Sequence, residues 1–315
     1  MIETITETEL PVNEKLLIRR RRIVPAGMDE EQLSKLKRIS IITGIHGDEL
    51  EGQYVAYETG RRAEAEIQNL NGIIDIYPAM NPMGIDSIIR GLPGFDLDMN
   101  RIFPGHEDGD MYEYTAEQII CDLAGSDLAV DIHASNVFLT EIPQIRINEL
   151  HESILVPYAL KMNVDLIWVH SNATVLQSTL AYALNSIGTK TLVVETGVGM
   201  RITRSFGDQI TDGIFNTMKA MGMWKGSTVP VKKPMISDHY GDVDFLNAPC
   251  SGVFMKELDA GTHVQEGQLI GTVLNPLTGN HQEIRAADTG VLFTIREYPI
   301  VDEGSLMGRI LKDRR

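Results

Sequence analysis

The segment His46-Gly47-Asp48-Glu49 sets a histidine and a carboxylate three residues apart, where an apolar run gives way to a helix-like stretch. Residues at that spacing lie near each other on a helical turn, so both side chains can reach one ion. A hydrolytic zinc site commonly takes three protein ligands, His2Glu among them, and leaves a position for water. His133, in the text VDIHAS, offers a third ligand at what reads as a strand end. An H-x-x-E pair is equally what an exposed histidine and a first-turn glutamate would give, and a single His133 equally suits a hydrogen-bonded core residue. Glu195 closes the apolar run TLVVE just before a glycine turn. A carboxylate there is costly without a partner, which favours a chemical role over a structural one. Asn100-Arg101 adds a planar guanidinium that can grip a carboxylate through two parallel hydrogen bonds. A loop ion pair is the plainer alternative for that dipeptide.

Strand ends must position these residues. Residues 39–43 form a β-branched apolar run that stops at Gly44. From about Asp48, the text DELEGQYVAYETGRRAEAEI has helical spacing, with Leu50, Tyr54, Val55 and Tyr57 as core positions. Further strands read GIIDIYPAMNP, DLAVDIHAS, DLIWVH and TKTLVVETGVG, and helices read YTAEQIICDLA, ESILVPYALKM and TLAYALNSIG. Such alternation predicts an α/β fold: a mixed, mainly parallel sheet with helices on both faces. Sites in open α/β sheets form beyond the carboxyl ends of the strands. His46 with Glu49, then His133, then Glu195 each follow or end one of these strands. Asp131 is a candidate support for His133, although its position is expected to turn it to the opposite strand face.

Four short motifs, GIHGDELEG (44–52), DLDMNRIFPG (96–105), DIHAS (131–135) and VVETG (193–197), occur in this order. Together they resemble the succinylglutamate desuccinylase/aspartoacylase family, a branch of the zinc carboxypeptidase clan, over most of residues 35–225. The resemblance implies one Zn2+ per chain, with His46, Glu49 and His133 as its ligands and Glu195 as general base. It also implies that Asn100 and Arg101 bind the substrate carboxylate, that Arg90 polarises the scissile carbonyl, and that Asp98 orients Arg101. The activity implied is deacylation of a small N-acylated amino acid or related carboxylate-bearing amine. A metallocarboxypeptidase acting on peptides would use the same metal and base. A non-catalytic binding protein on the same fold would have lost a ligand or the base, and all are present.

After residue 232 the text changes to short strands and frequent glycines without a helical stretch. Residues 1–232 thus read as the catalytic domain and 233–315 as a small all-β barrel, with VPVKKPMISD as the linker. APCSGVF, GTHVQEGQLIGTV and IRAADTGVLF resemble a biotinyl/lipoyl domain, and Gly252-Val253-Phe254 echoes Gly290-Val291-Leu292-Phe293. The hairpin text NPLTGNHQE lacks the lysine that would carry biotin or lipoate.

The composition narrows the partners. Across 315 residues there are 28 Lys+Arg against 44 Asp+Glu, a net charge of −16, which repels nucleic acid and anionic membrane surfaces. The single basic block, Arg19 to Arg22, reads as a half-exposed strand. No apolar run nears the roughly 20 residues that span a bilayer, and the first residues lack the pattern of a signal peptide. Cys121 and Cys250 have no second thiol at ligand spacing and are expected to be buried free thiols. A cytoplasmic enzyme with a small-molecule substrate, able to form a homo-oligomer, is the expectation. His106, His151, His170, His239, His263 and His281 lack partners at ligand spacing, and Arg146 and His170 are pocket candidates by their order alone. Ser135 and Ser171 lack a nucleophile elbow, and GIHGDELEG lacks the Lys-Ser/Thr of a phosphate loop.

Overall fold

The computed structural model describes residues 1–94, 97–171, 173–237 and 242–313. Asp96, at the head of the second motif, and His239 lie outside them. An antiparallel hairpin of β1 (Ile2–Glu9) and β2 (Lys15–Ile23) opens the chain. A one-turn helix, α1 (Glu30–Leu33), then leads into β3 (Arg38–Thr43). There follow α2 (Glu51–Ala65), β4 (Ile73–Tyr77) and α3 (Pro82–Ser87), then α4 (Met111–Leu123) and β5 (Leu128–Ala134). The long strand β6 (Leu139–Asn148) precedes α5 (Glu152–Ala159), β7 (Leu166–His170), α6 (Leu180–Ser186), β8 (Thr191–Gly197) and α7 (Arg204–Ala220). The remaining elements are strands: β9 (Met235–Ser237), β10 (Val243–Asn247), β11 (Gly252–Lys256), β12 (Thr262–Val264) and β13 (Leu269–Leu274). They end with β14 (His281–Arg285), β15 (Gly290–Arg296), β16 (Ile300–Val301) and β17 (Leu306–Lys312).

Among the described residues, thirteen strands form one mixed sheet: ten run in the order β1-β2-β4-β3-β5-β8-β6-β15-β17-β10, while β7 and β9 branch from β6 and β12 from β15. The central steps from β4 through β3 and β5 to β8 are parallel. Their alternating residues face two helical layers. Ile39 and Ile41 pack with Val55 and Ala56 of α2, Ile210 and Ile214 of α7 and Leu155 of α5. Ile42, the residue after them on β3, points the other way and packs with Ile119 and Leu123 of α4 and Leu184 of α6. Both faces are thereby covered, as parallel strands require. In α2 the buried stripe runs Gly52, Val55, Ala56, Thr59, Gly60 and Ala63. Tyr57, expected in the core, is 61 % exposed. The helix also starts later than Asp48, so Glu49 stays in the preceding turn.

β6 joins the two ends of the chain. One edge pairs antiparallel with β8, while the other pairs with β7 and, near its start, with β15. β10, β12, β15 and β17 therefore extend the main sheet as an antiparallel region. A second, four-stranded antiparallel sheet, β14-β13-β11-β16, packs there around Phe254, Ile270, Leu292 and Ile310. β9, beyond the expected boundary at residue 232, pairs parallel with β7. No helix among the described residues is long and apolar enough to cross a membrane. Both cysteines are free, but Cys121 is exposed and Cys250 half-buried, contrary to the expected burial. The surface of α4 carries Cys121, whose thiol donates to Glu117, 3.0 Å away.

Candidate active site

β3 ends at Thr43, and the chain turns through Gly44 with φ +72°. The next loop lies so close to α3 that a Cβ on Gly47 would come within 2.0 Å of the Gly84 carbonyl carbon. The Gly47 amide donates to the carbonyl of Arg90 at 3.2 Å. This packing fixes His46 and Glu49 and brings Arg90 beside them. The Glu49 carboxylate then bridges two histidines: Oε1 lies 2.7 Å from His46 Nδ1, and Oε2 lies 2.9 Å from His133 Nδ1. The Ala134 amide donates to Oε2 at 3.1 Å, and Arg90 Nη1 donates to Oε1 at 2.7 Å.

His46, Glu49 and His133 are all buried, with one donor atom of each within 4.8 Å of the others, so they could hold a metal ion. The donor set fits zinc, which binds imidazole nitrogen and carboxylate oxygen in this combination. Their outer contacts fit as well. His46 Nε2 lies 3.0 Å from Asp98 Oδ1, and His133 Nε2 lies 3.1 Å from Asp131 Oδ2. Carboxylates behind metal-binding histidines fix the ring orientation and raise the basicity of the ligating nitrogen.

Two expectations change here. Asp131 and His133 are two apart on β5 and so share a strand face, placing Asp131 behind the histidine. The Asp98 side chain contacts His46, Arg90 and the Asn100 amide, and its carbonyl accepts from the Arg101 amide at 3.0 Å, so it supports the histidine as well as the turn that carries Arg101.

Charge in this nest is strongly biased. Burial opposes protonation of His46, but the Asp98 and Glu49 hydrogen bonds outweigh it and raise its pKa. Burial likewise opposes charge on His133, yet Asp131 and Glu49 push its pKa well above the ordinary value. Glu49 is held below the carboxylate range, since the two histidines overcome its desolvation. A site so rich in carboxylate attracts a cation, whether protons or a metal.

Glu195 stands on β8 in register with His133 on β5. Desolvation pushes its pKa up to about 7, against the pull of the Arg146 guanidinium and with the push of Glu141. Arg146 Nη1 donates to Glu195 Oε1 at 3.2 Å, and Nη2 donates to Glu141 at 2.7 Å. Both groups line a cavity of about 440 Å³ that also takes in His46, Glu49, His133, Arg90, Asn100 and Arg101. The structure therefore brings the candidate ligands, Glu195, Arg90, Asn100 and Arg101 into one pocket, with Asp98 behind His46. Asn100 is buried and its Oδ1 accepts from the Leu180 amide at 2.9 Å, while the exposed Arg101 donates to the Asn100 carbonyl at 2.7 Å. Arg146 and His170 line the same cavity, as do His151, Tyr182 and Asn185.

Glu141 and Arg309 also belong to this site, although no motif contains them. Glu141 is 1 % exposed on β6, and Arg309 reaches the cavity from β17. The signal was present as a charge inside each of two apolar runs, LTEIPQIRIN and LMGRILK, where burial demands a partner.

Comparison with known proteins bears on this pocket. Residues 35–221 match the model of the succinylglutamate desuccinylase/aspartoacylase catalytic domain. Over 273 residues the chain is 27 % identical to the N-alpha-acetyl-L-2,4-diaminobutyric acid deacetylase of Halomonas elongata, covering 81 % of this chain and 76 % of that one. The product-bound ectoine utilization protein EutE (DoeB) from Ruegeria pomeroyi superposes with a TM-score of 0.79 at 20 % identity, covering 98 % of this chain and 93 % of that one. A succinylglutamate desuccinylase/aspartoacylase from Rhodobacter sphaeroides gives a TM-score of 0.81, also at 20 % identity, with 100 % of this chain and 96 % of that one covered. At these identities the structural likeness is one of fold.

Proposed function

Because the chain belongs to the succinylglutamate desuccinylase/aspartoacylase family, we propose that it is a zinc-dependent deacylase that hydrolyses the amide of a small N-acylated amino acid. The observation that carries this reading is the convergence of His46, Glu49 and His133 with Glu195 in one cavity. His46, Glu49 and His133 are the proposed ligands of one zinc ion per chain. That ion, when bound, supplies a Lewis acid for the carbonyl and makes water acidic enough to ionise near neutral pH.

The remaining roles fall to this chain's own side chains. Glu195 takes the proton of the attacking water and later delivers it to the leaving amine. Its Oε1 is held by Arg146, which leaves Oε2 to carry that proton. Arg90 stabilises the oxyanion, a contribution of about 3–4 kcal/mol for one well-placed donor. Asn100 and Arg101 bind the substrate carboxylate. The Asn100–Leu180 hydrogen bond fixes the residue that precedes Arg101, and Arg101 itself stays solvent-facing at the cavity wall. Residues 1–232 form the catalytic unit in this reading and residues 233–315 a small β-barrel.

The test is a panel of N-acyl amino acids, with acetyl, succinyl and longer acyl groups, assayed for release of free amine alongside short peptides. N-acetyl-2,4-diaminobutyrate belongs in it because of the Halomonas elongata relative. Turnover confined to one or a few N-acyl amino acids, abolished by chelation, supports the proposal. Turnover of peptides alone would replace it with a carboxypeptidase.

A further inference from the structure

Four charged side chains from three strands make a chain of contacts ending on Glu195. Arg309 of β17 pairs through Nη1 with Glu141 of β6, to which Thr294 of β15 also donates at 3.2 Å. Glu141 accepts from Arg146 Nη2 at 2.7 Å, and Arg146 Nη1 donates to Glu195 at 3.2 Å. Two guanidinium groups thus face two carboxyl groups in a region where Glu141 is 1 % and the Arg309 side chain 16 % exposed. Trp168 of β7 supplies a common platform, its ring lying 5.4 Å from the Arg146 guanidinium and 5.5 Å from that of Arg309.

We infer that Arg309 is a positioning residue for the reaction: by neutralising Glu141, it leaves Arg146 free to hold Glu195 in place. This rests on the proposed role of Glu195 as base. Without Arg309, Glu141 is a buried carboxylate with Arg146 as its sole charged partner in this cluster. The same guanidinium must then serve two carboxylates, and the more deeply buried one draws it away from Glu195. The strand that carries Arg309 belongs to the C-terminal antiparallel region, so that region shapes the catalytic geometry rather than merely abutting it.

The experiment compares Arg309→Met, Arg309→Lys and the charge-balanced pair Glu141→Gln/Arg309→Met, each as full-length, metal-loaded protein. Arg309→Met should lower kcat by roughly 30- to 100-fold, the scale of a small misplacement of a catalytic group, with KM within about twofold. Arg309→Lys should regain part of that loss. The double variant should recover to within about tenfold of wild type, because both members of the buried pair have been neutralised together. If Arg309→Met does not fold, the double variant decides alone, and a kcat reduced 100-fold or more there overturns the inference. So does a folded Arg309→Met with unchanged kcat, or one whose loss lies wholly in KM, which would mean direct contact with substrate.

A readout independent of turnover separates this inference from the proposed function. In denaturant unfolding, Arg309→Met and Glu195→Gln should be non-additive by more than about threefold in the unfolding equilibrium constant, although the two side chains are linked only through Glu141 and Arg146. Additive effects would break the relay. If wild type turns over no member of the panel, the proposed function falls while this cycle still decides the relay.

Discussion

Two buried charge clusters sit on the same sheet and have opposite characters. In the first, Asp75 of β4 is fully buried, and Arg22 grips both of its oxygens at 2.7 and 2.6 Å. Arg20 and Arg38 stand behind at 3.8 and 3.6 Å, and Arg20 is shared with Asp122 and Glu3. In the second, around Glu49 and Glu195, several atoms are buried without a hydrogen-bond partner, among them Asp131 Oδ1, Arg146 Nε and Arg309 Nε. The first is a set of mutually paired charges, whereas the second lines a cavity of about 440 Å³. Buried charge by itself therefore does not mark a site. Incomplete pairing around a cavity does, because such groups remain able to engage something further.

The largest expected effect breaks the second cluster at its base. Glu195→Gln keeps the shape and removes the proton acceptor, so kcat should fall by about two to four orders of magnitude, the scale of general acid–base catalysis. Metal content should remain near one ion per chain. Near-wild-type turnover would mean that another group is the base.

Two aspartates then sharpen the contrast. Asp75→Asn removes the fully buried carboxylate on which three partly exposed arginines converge and should cost about 3–5 kcal/mol of stability in denaturant unfolding. Turnover per folded molecule and metal affinity should be unchanged. Asp131→Asn acts in the reverse sense. It weakens the support behind His133, and zinc titration against a competing chelator should show about a 10- to 100-fold loss of affinity. If Asp75→Asn released metal, or Asp131→Asn left affinity intact, the division into a structural and a functional cluster would collapse.

The sequence made one of these clusters far more legible than the other. His46, Glu49, His133 and Glu195 stand at strand ends, and the parallel order of β3, β5 and β8 follows from apolar runs separated by helices. Local spacing offered them as candidates at strand ends, and the four-motif resemblance joined them into one set. Arg146 was a pocket candidate by its order alone, while Glu141 and Arg309 escaped, because their meeting with it depends on β6 pairing with both β8 and β15, a register no local pattern encodes. The Arg19 to Arg22 block read correctly as a strand, yet its partners Asp75 and Asp122 lie on elements more than 50 residues away by sequence number. Asp131 could have been placed from the two-residue period of a strand alone, since it shares that period with His133. Tyr57 failed for a different reason. Helical spacing admits several stripes on α2, and its buried stripe is made of small residues that let β3, β5 and α7 approach closely.

The smallest expected effect concerns pH, and it follows from the burial of Glu195. Its pKa is pushed up to about 7, so in the metal-free fold the proton binds more tightly than in the unfolded chain, where a glutamate titrates at 4.5. The stability this group contributes is thus fully present below 4.5 and is lost as pH rises through about 7. Metal-free wild type should accordingly lose stability relative to metal-free Glu195→Gln over that interval, read from paired unfolding curves at successive pH values. In the working enzyme the same group must be ionised to accept a proton. The acidic limb of kcat/KM should rise at most tenfold per pH unit and level off below the metal-free midpoint, because a bound cation favours the carboxylate. A flat difference between the two unfolding series would show that Arg146 already neutralises the burial penalty, and the first and second clusters would then differ in position alone.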